Sequence, residues 1–310
     1  MVMSDRLLPL SAFLLGAISV LAIQGIITVN NSEASSTKLK GKKGDADGKE
    51  FPPEIKDELF SRVRTFFGEK EYENLGQSFV IVVGLGGVGS HAANMLVRSG
   101  VAKIRLIDFD QVSLSSLNRH AVATMEDVGL SKAEVMRNKL LKVVPWCVIE
   151  AETEMFKKES ASRLLQGNPC MVLDCIDDVS TKAELIAHCM QNDIKVLTSM
   201  GAGGKADPTR IRISALADCI NDPLASKIKW KLKKHNVDPE KVMSIFSVEK
   251  PMCDLLPLDE EQKNNPQVTF SELFLLFSRL MRSRQETFVC CWRILSHRTF
   301  RSHGTTNKLL

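Results

Sequence analysis

The stretch that most constrains this chain is Phe79 to Asp110, FVIVVGLGGVGSHAANMLVRSGVAKIRLIDFD. Phe79 to Val83 is a short apolar run rich in β-branched side chains, the pattern of a strand buried on both faces of a parallel sheet. Gly84, Gly86, Gly87 and Gly89 follow in G-x-G-x-x-G spacing. A backbone of that kind turns sharply, approaches a ligand without a Cβ in the way and lets the next helix pack closely on the strand. That helix is expected over Ser90 to Arg98, its first amides facing an anion. Lys103 to Ile107 reads as the next strand, with Asp108 at its end, where a carboxylate reaches a ribose hydroxyl in dinucleotide folds. A bound nucleotide follows from this pattern. Strand, glycines and acid alone suit a nicotinamide or flavin cofactor as well as they suit ATP.

Upstream, Leu7 to Val29 is uncharged, apolar and about long enough to cross a bilayer as a helix. It exceeds a usual signal-peptide core, and Asn30 to Thr37 lacks a small-x-small cleavage site, so an uncleaved anchor is expected over residues 1–30, with a cleaved signal or transit peptide as the alternative. Lys38, Lys40, Lys42 and Lys43 follow closely and place the bulk of the chain in the cytosol. Residues 31–53 read as a solvated tether. Pro52 and Pro53 open a helix over Glu54 to Phe67, with Ile55, Leu59, Val63 and Phe66 expected on one face and Arg62 and Arg64 elsewhere; Gly68 closes it.

Downstream, DFDQVSLSSLNR (Asp108 to Arg119) carries more polar groups than a ribose needs: Asp108 and Asp110 at a strand end, then Ser115, Asn118 and Arg119. Lys132 opens a helix to Val143 that Pro145 stops. Strands over Val148 to Glu152, Met171 to Cys175 and Lys195 to Thr198 alternate with helices over Ser160 to Leu165 and Thr181 to Gln191. Asp174 and Asp177 reach the carboxyl end of the sheet, where ligands bind in open α/β folds. With 310 residues, 44% of them hydrophobic, the chain can bury one full core of this kind. The expected fold is therefore α/β, a doubly wound (Rossmann-like), mostly parallel sheet. The eight cysteines contain no C-x-x-C pair, which argues against a zinc ribbon. Cys147, Cys175 and Cys189 lie in apolar surroundings and read as reduced, buried small hydrophobes.

Past Met200 to Thr209, a glycine-rich loop, come a short strand over Arg210 to Ser214 and a helix over Pro223 to His235. Its apolar stripe is Leu224, Ile228 and Leu232, and a second face carries Lys227, Lys231 and Lys234. A lysine row can follow a phosphate backbone, although solvation alone also explains one, and a net charge of +4 does not decide between them. A strand is expected over Ile245 to Val248 and a loop over Cys253 to Pro257. Residues 266–310 form a basic tail with helically spaced apolar positions, read as a docked helix or a contact with anionic lipid.

At GLGGVGS, DFDQVSLSSLNR, Lys132 and DCIDD the chain resembles the ubiquitin-activating-enzyme-like adenylation superfamily (ThiF-type), which includes the sulfur-carrier activators. DCIDDVSTKAELIAHC, GAGGKADPTRIRIS and INDPLASKI are most similar to its tRNA threonylcarbamoyladenosine dehydratase branch. The likeness runs from about Glu58 to Leu258, inside an adenylation domain drawn at 54–265. It implies an ATP site in which Gly84, Gly86, Gly87 and Gly89 line the nucleotide and Asp108 holds the ribose. Ser115, Asn118, Arg119 and Lys132 would surround the phosphates, Asp110 would also bind the nucleotide, and Asp177 would bind Mg2+ with Asp178, a further nucleotide contact, beside it. Arg62 would enter the partner subunit's site, which implies a homodimer. The implied reaction is ATP-dependent cyclisation of threonylcarbamoyladenosine beside a tRNA anticodon, through an acyl-adenylate, with no enzymic cysteine. Relatives with such an anchor imply the mitochondrial outer membrane, with the endoplasmic reticulum next.

Ser116 stands where the superfamily often has Asn, and His120 where it often has Gln. After Leu258 the chain leaves the family pattern. Two rival readings are an activator of a ubiquitin-like or sulfur-carrier protein, and a non-catalytic truncated form that binds ATP without turnover.

Overall fold

The computed structural model describes residues 51–251, apart from 204 and 206. The expected anchor, nearly all of the tether, the Cys253 to Pro257 loop and the basic tail lie outside the described residues. Among the described residues, no helix is long and apolar enough to cross a membrane.

Among the described residues seven strands form one sheet: β1 (Phe79–Val83), β2 (Lys103–Ile107), β3 (Val148–Glu152), β4 (Met171–Asp174), β5 (Val196–Ser199), β6 (Ile211–Ala215) and β7 (Met243–Ser247). Their order is β3-β2-β1-β4-β5-β7-β6, and only the β6–β7 pair is antiparallel. The helices are α1 (Pro53–Phe67), α2 (Glu69–Leu75), α3 (Gly87–Arg98), α4 (Lys132–Leu141), α5 (Ala161–Leu164), α6 (Val179–Gln191) and α7 (Pro223–Lys234). The doubly wound, mostly parallel architecture is the one expected from the alternating pattern.

β1 shows why the sheet is two-sided. Val80 and Val82 enter one core with Leu96, Leu106, Met136 and Leu140, whereas Phe79, Ile81 and Val83 enter another with Leu164, Leu185 and Val196. Alternate side chains of one fully buried strand thus serve opposite faces. A charged residue on β2 breaks the apolar rule: Arg105, buried, donates to Glu150 on neighbouring β3 at 2.7 Å and to the carbonyls of Leu164 and Gln166 at 2.7 and 2.8 Å.

The chain runs outward from β1 through β2 to β3, then returns to place β4 on the other side of β1. The crevice between β1 and β4 is the topological switch point, where open α/β sheets bind ligands.

Several expectations are corrected. α3 begins at Gly87 rather than Ser90, so the last two motif glycines lie inside its first turn. α6 begins at Val179, β7 at Met243, and a helix over Glu69–Leu75 was not expected at all. α1 turns a different face inward. Phe60 is its buried residue, packed on Tyr72 and Trp146, with Val63 and Phe67 beside that core, while Ile55, Leu59 and Phe66 are exposed. At about 100° per residue Arg62 lies at the edge of this exposed stripe, next to Ile55 around the helix. Where apolar residues occupy two stripes, the neighbours available to each decide which one is buried.

Candidate functional site

The glycine turn after β1 is held by two close approaches. Gly84 has φ +88°, and a Cβ there would lie 2.8 Å from the carbonyl oxygen of Cys175, just after β4. A Cβ on Gly89 would lie 1.8 Å from the Gly84 carbonyl oxygen, so only glycine lets α3 start this close to the strand end. Gly86 differs, because a Cβ there would meet nothing within 4 Å. It is the N-cap of α3 and no side chain caps that end. An open space faced by helix amides is a place for an anion.

Asp108, buried at the end of β2, anchors this turn. Its carboxylate accepts from the Leu85 amide at 2.5 Å and from the Asp110 amide at 2.8 Å. Burial holds its pKa above the ordinary carboxylate value, against the pull of Lys132 and those two amides. The segments that follow are stitched together: Val112 N donates to Leu130 O at 2.8 Å, Lys132 N to Asp110 O at 3.0 Å, and Gln111 bridges to Ser131. The Lys132 ammonium, on a side chain only 8% exposed, therefore meets Asp110 Oδ2 at 2.6 Å.

Arg119 completes the group. Its Nη1 donates to Ser115 O at 2.8 Å, and its aliphatic stem would lie 3.5 Å from a Cβ on Gly87. Burial lowers its pKa, and the charges of Asp177 and Asp110 oppose that shift. Asp177 is exposed on the loop after β4. Asp108 and Asp110 after β2, Lys132 paired with Asp110, Arg119 against Gly87 and Asp177 after β4 thus share the carboxyl edge of the sheet at the switch point. Ser115 is partly buried and shares a 3.0 Å hydrogen bond with Ser113, and Asn118 is exposed next to Arg119.

Two further expected residues stand at the margins of this group. Asp178 caps α6, accepting from the Ser180 and Thr181 amides at 3.0 and 2.8 Å and from the Thr181 hydroxyl at 2.9 Å. Arg62 sits on α1, whose Phe60 packs against Gly100 and Trp146 at the amino ends of β2 and β3, the end of the sheet away from the glycine turn. Within one protomer it stands apart from the site.

The sequence reading missed a buried ion pair under the turn. Lys182 and Asp174 are both 0% exposed, with Nζ 2.9 Å from Oδ2. The same carboxylate accepts from Thr198 Oγ1 at 2.6 Å and from the Ile176 amide at 3.1 Å, and Lys182 donates to Ile176 O at 2.8 Å. The pair fixes the loop that carries Asp177. A lysine within a helix reads as a surface residue, so only its place, one turn after DCIDD, could have signalled this role.

His120 and Ser116, the departures from the superfamily pattern, are both buried. Ser116 closes the 113–116 turn, donating to Ser113 O at 2.7 Å and accepting from Ser113 N at 2.9 Å. His120 Nδ1 accepts from the Ala123 amide at 3.1 Å, while Nε2, like Ser131 Oγ, is buried with no partner. Burial, then Lys132 and His91, push the imidazole down to about 4 from 6.5, with Arg119 adding to the shift and Asp127 opposing it. A depressed histidine stabilises the fold fully above pH 6.5 and loses that contribution as pH falls toward about 4. Urea unfolding is therefore expected to show stability falling by about 1.4 kcal/mol per pH unit over that window. His120→Gln should flatten the slope; an unchanged slope would show that the imidazole does not carry it.

Among the described residues, the cysteines offer no ready thiolate at neutral pH. Desolvation pushes the buried thiols of Cys147 and Cys189 up to about 12, and that of Cys219 up to about 11.

The ThiF family model matches residues 60–271. The chain is 44% identical over 208 residues to tRNA threonylcarbamoyladenosine dehydratase 2 of Saccharomyces cerevisiae, covering 66% of this chain and 46% of the yeast protein. Against the Escherichia coli tRNA threonylcarbamoyladenosine dehydratase it is 39% identical over 174 residues, covering 56% of this chain and 65% of that protein. It therefore spans about half of the yeast relative and just under two thirds of the bacterial one. The crystal structure of the E. coli enzyme in complex with ATP superposes with a TM-score of 0.62 at 31% identity, covering 74% of this chain and 97% of that one.

Proposed function

We propose that this chain, which belongs to the ThiF family, is an ATP-dependent tRNA threonylcarbamoyladenosine dehydratase. The observation that carries the reading is the placement of Lys132, Arg119, Asp110 and Asp177 along the carboxyl edge of the sheet that also holds the glycine turn and the uncapped start of α3. Arg119 against the first turn of α3 and Lys132 on the neighbouring Asp110 suit a triphosphate, and Asp108 at the end of β2 suits its ribose. The unpartnered Nε2 of His120 and Oγ of Ser131, near and next to Lys132, are further polar atoms that a bound nucleotide could satisfy.

In this reading the threonyl carboxylate of the modified adenosine attacks the α-phosphorus of ATP. The Pα–O bond to the β-phosphate breaks and pyrophosphate leaves. Arg119 and Lys132 neutralise the charge that develops on the phosphates, the kind of preorganised stabilisation that dominates such transfers. A nitrogen of the same side chain then attacks the activated carbonyl and loses its proton, and AMP departs, closing a ring with net loss of water. The tethered nucleophile brings a high effective concentration, so no protein thiol is needed.

Asp177 is the carboxylate that would take Mg2+, which when bound offsets phosphate charge. Such an ion would be held by that carboxylate together with substrate phosphates.

A second copy of the chain is part of this proposal. The exposed stripe of Ile55, Leu59 and Phe66 flanks Arg62, an apolar face suited to an isologous contact that would carry the arginine to a partner.

The test is to give the full chain ATP, Mg2+ and tRNA bearing the open threonylcarbamoyl group, then weigh the digested nucleosides. A product lighter by one water, with matching AMP and pyrophosphate, is expected. Pyrophosphate exchange that depends on a carrier protein and ignores the tRNA would overturn the proposal.

A further inference from the structure

α7 presents an outer face that the catalytic residues do not use. Its inner stripe, Ile228 and Leu232, is fully buried, and Asp222 caps its start by accepting from the Ala225 amide at 2.9 Å. Lys229 turns inward and donates to the carbonyls of Ala217 and Cys219 at 3.1 and 2.8 Å. What remains outside is Trp230, 58% exposed, among Lys227, Lys231, Lys233 and Lys234. An indole left this open forgoes the burial that normally stabilises it. The Lys234 ammonium sits 3.6 Å from the ring centroid, and Val179, Ser226, Lys227, Trp230 and Lys231 line an open cleft beside it.

The cleft adjoins the site. Lys231 Nζ lies 2.5 Å from Ser180 Oγ, and Ser180 follows Asp177 by three residues in the first turn of α6. A ligand in the cleft would thus reach the same edge of the sheet as the proposed nucleotide.

We propose that this face docks the tRNA, with an unpaired base stacked on Trp230 and the neighbouring phosphates held by Lys227, Lys231 and Lys234. The inference rests on the reading of the chain as a tRNA-modifying enzyme and says where that substrate is gripped. Aromatic platforms ringed by cations are how proteins hold unpaired RNA: the ring accepts any base and the lysines follow the backbone. A membrane surface is the poorer match, because an interfacial helix needs an apolar face and Trp230 stands alone among charges.

The experiment measures binding of tRNA bearing the open modified adenosine to the full chain across a salt series. Trp230→Ala is expected to weaken binding about tenfold and Trp230→Phe to restore most of it. Lys227→Ala and Lys231→Ala should each reduce the salt slope by about one. ATP binding, measured in parallel, should not change, which shows the variants are folded. Parent-like tRNA affinity in Trp230→Ala, with cyclisation intact in the parent, would overturn this inference and leave the activity standing. Loss confined to phosphatidylserine vesicles would assign the face to lipid and likewise refute it. If the parent neither binds nor cyclises the tRNA, the functional reading falls first and this one with it.

Discussion

Lys132→Ala lowers cyclisation by about 10²–10³-fold, to background in a nucleoside assay, and leaves the unfolding midpoint nearly unchanged. The two halves of this expectation have separate causes. The ammonium is the buried member of its pair, 8% exposed against 47% for Asp110, so removing it leaves behind a carboxylate that water can solvate. Half-exposed ion pairs contribute about 0–1 kcal/mol, too little to unfold a domain. The same ammonium facing a departing pyrophosphate contributes to the transition state alone. Asp177→Ala should act similarly, with the deficit partly relieved by raising Mg2+. Arg62→Ala should also inactivate, although it stands away from its own protomer's glycine turn. Mixing the Arg62→Ala and Lys132→Ala proteins should then restore about a quarter of the sites, since random pairing gives half mixed dimers with one complete site each. No recovery on mixing would remove the shared site, and near-normal turnover of Lys132→Ala would remove the proposed chemistry.

The site was readable in the sequence wherever its geometry is local. β1, the glycines and β2 occupy one continuous stretch, and strand and helix periods force Asp108 to the sheet's carboxyl edge. Lys132 and Asp177 were readable because each opens or precedes an element at a fixed distance from that stretch. Residues whose role depends on distant neighbours were not. Ile55, Leu59 and Phe66 satisfy helical spacing as well as Phe60, Val63 and Phe67 do, and the choice between them is made by Tyr72, Gly100 and Trp146. The cap that Asp178 forms was not read either, although an acid just before a helix meets free amides and accepts from them. Arg105 and Lys182 are charged residues whose burial makes sense only once Glu150 and Asp174 are known to lie opposite them.

That last pair carries the largest expected loss of stability. Lys182→Met should lower unfolding free energy by about 3–5 kcal/mol, because it strands a carboxylate with no access to water. Surrounding structure cannot relieve it. Asp174 is 0% exposed, and its other donors, Thr198 Oγ1 and the Ile176 amide, are neutral. A domain stable by about 5–15 kcal/mol would lose a large share of its margin. Asp174→Asn should also destabilise, by leaving the ammonium uncompensated. The double variant should lose less than the sum of the two, since the charges go together and the asparagine oxygen can still accept from Thr198; a coupling of about 0.5–3 kcal/mol is expected. Urea denaturation of the four proteins measures it. Strict additivity would mean that the two side chains act independently, and that the loop bearing Asp177 owes its position to something other than this pair.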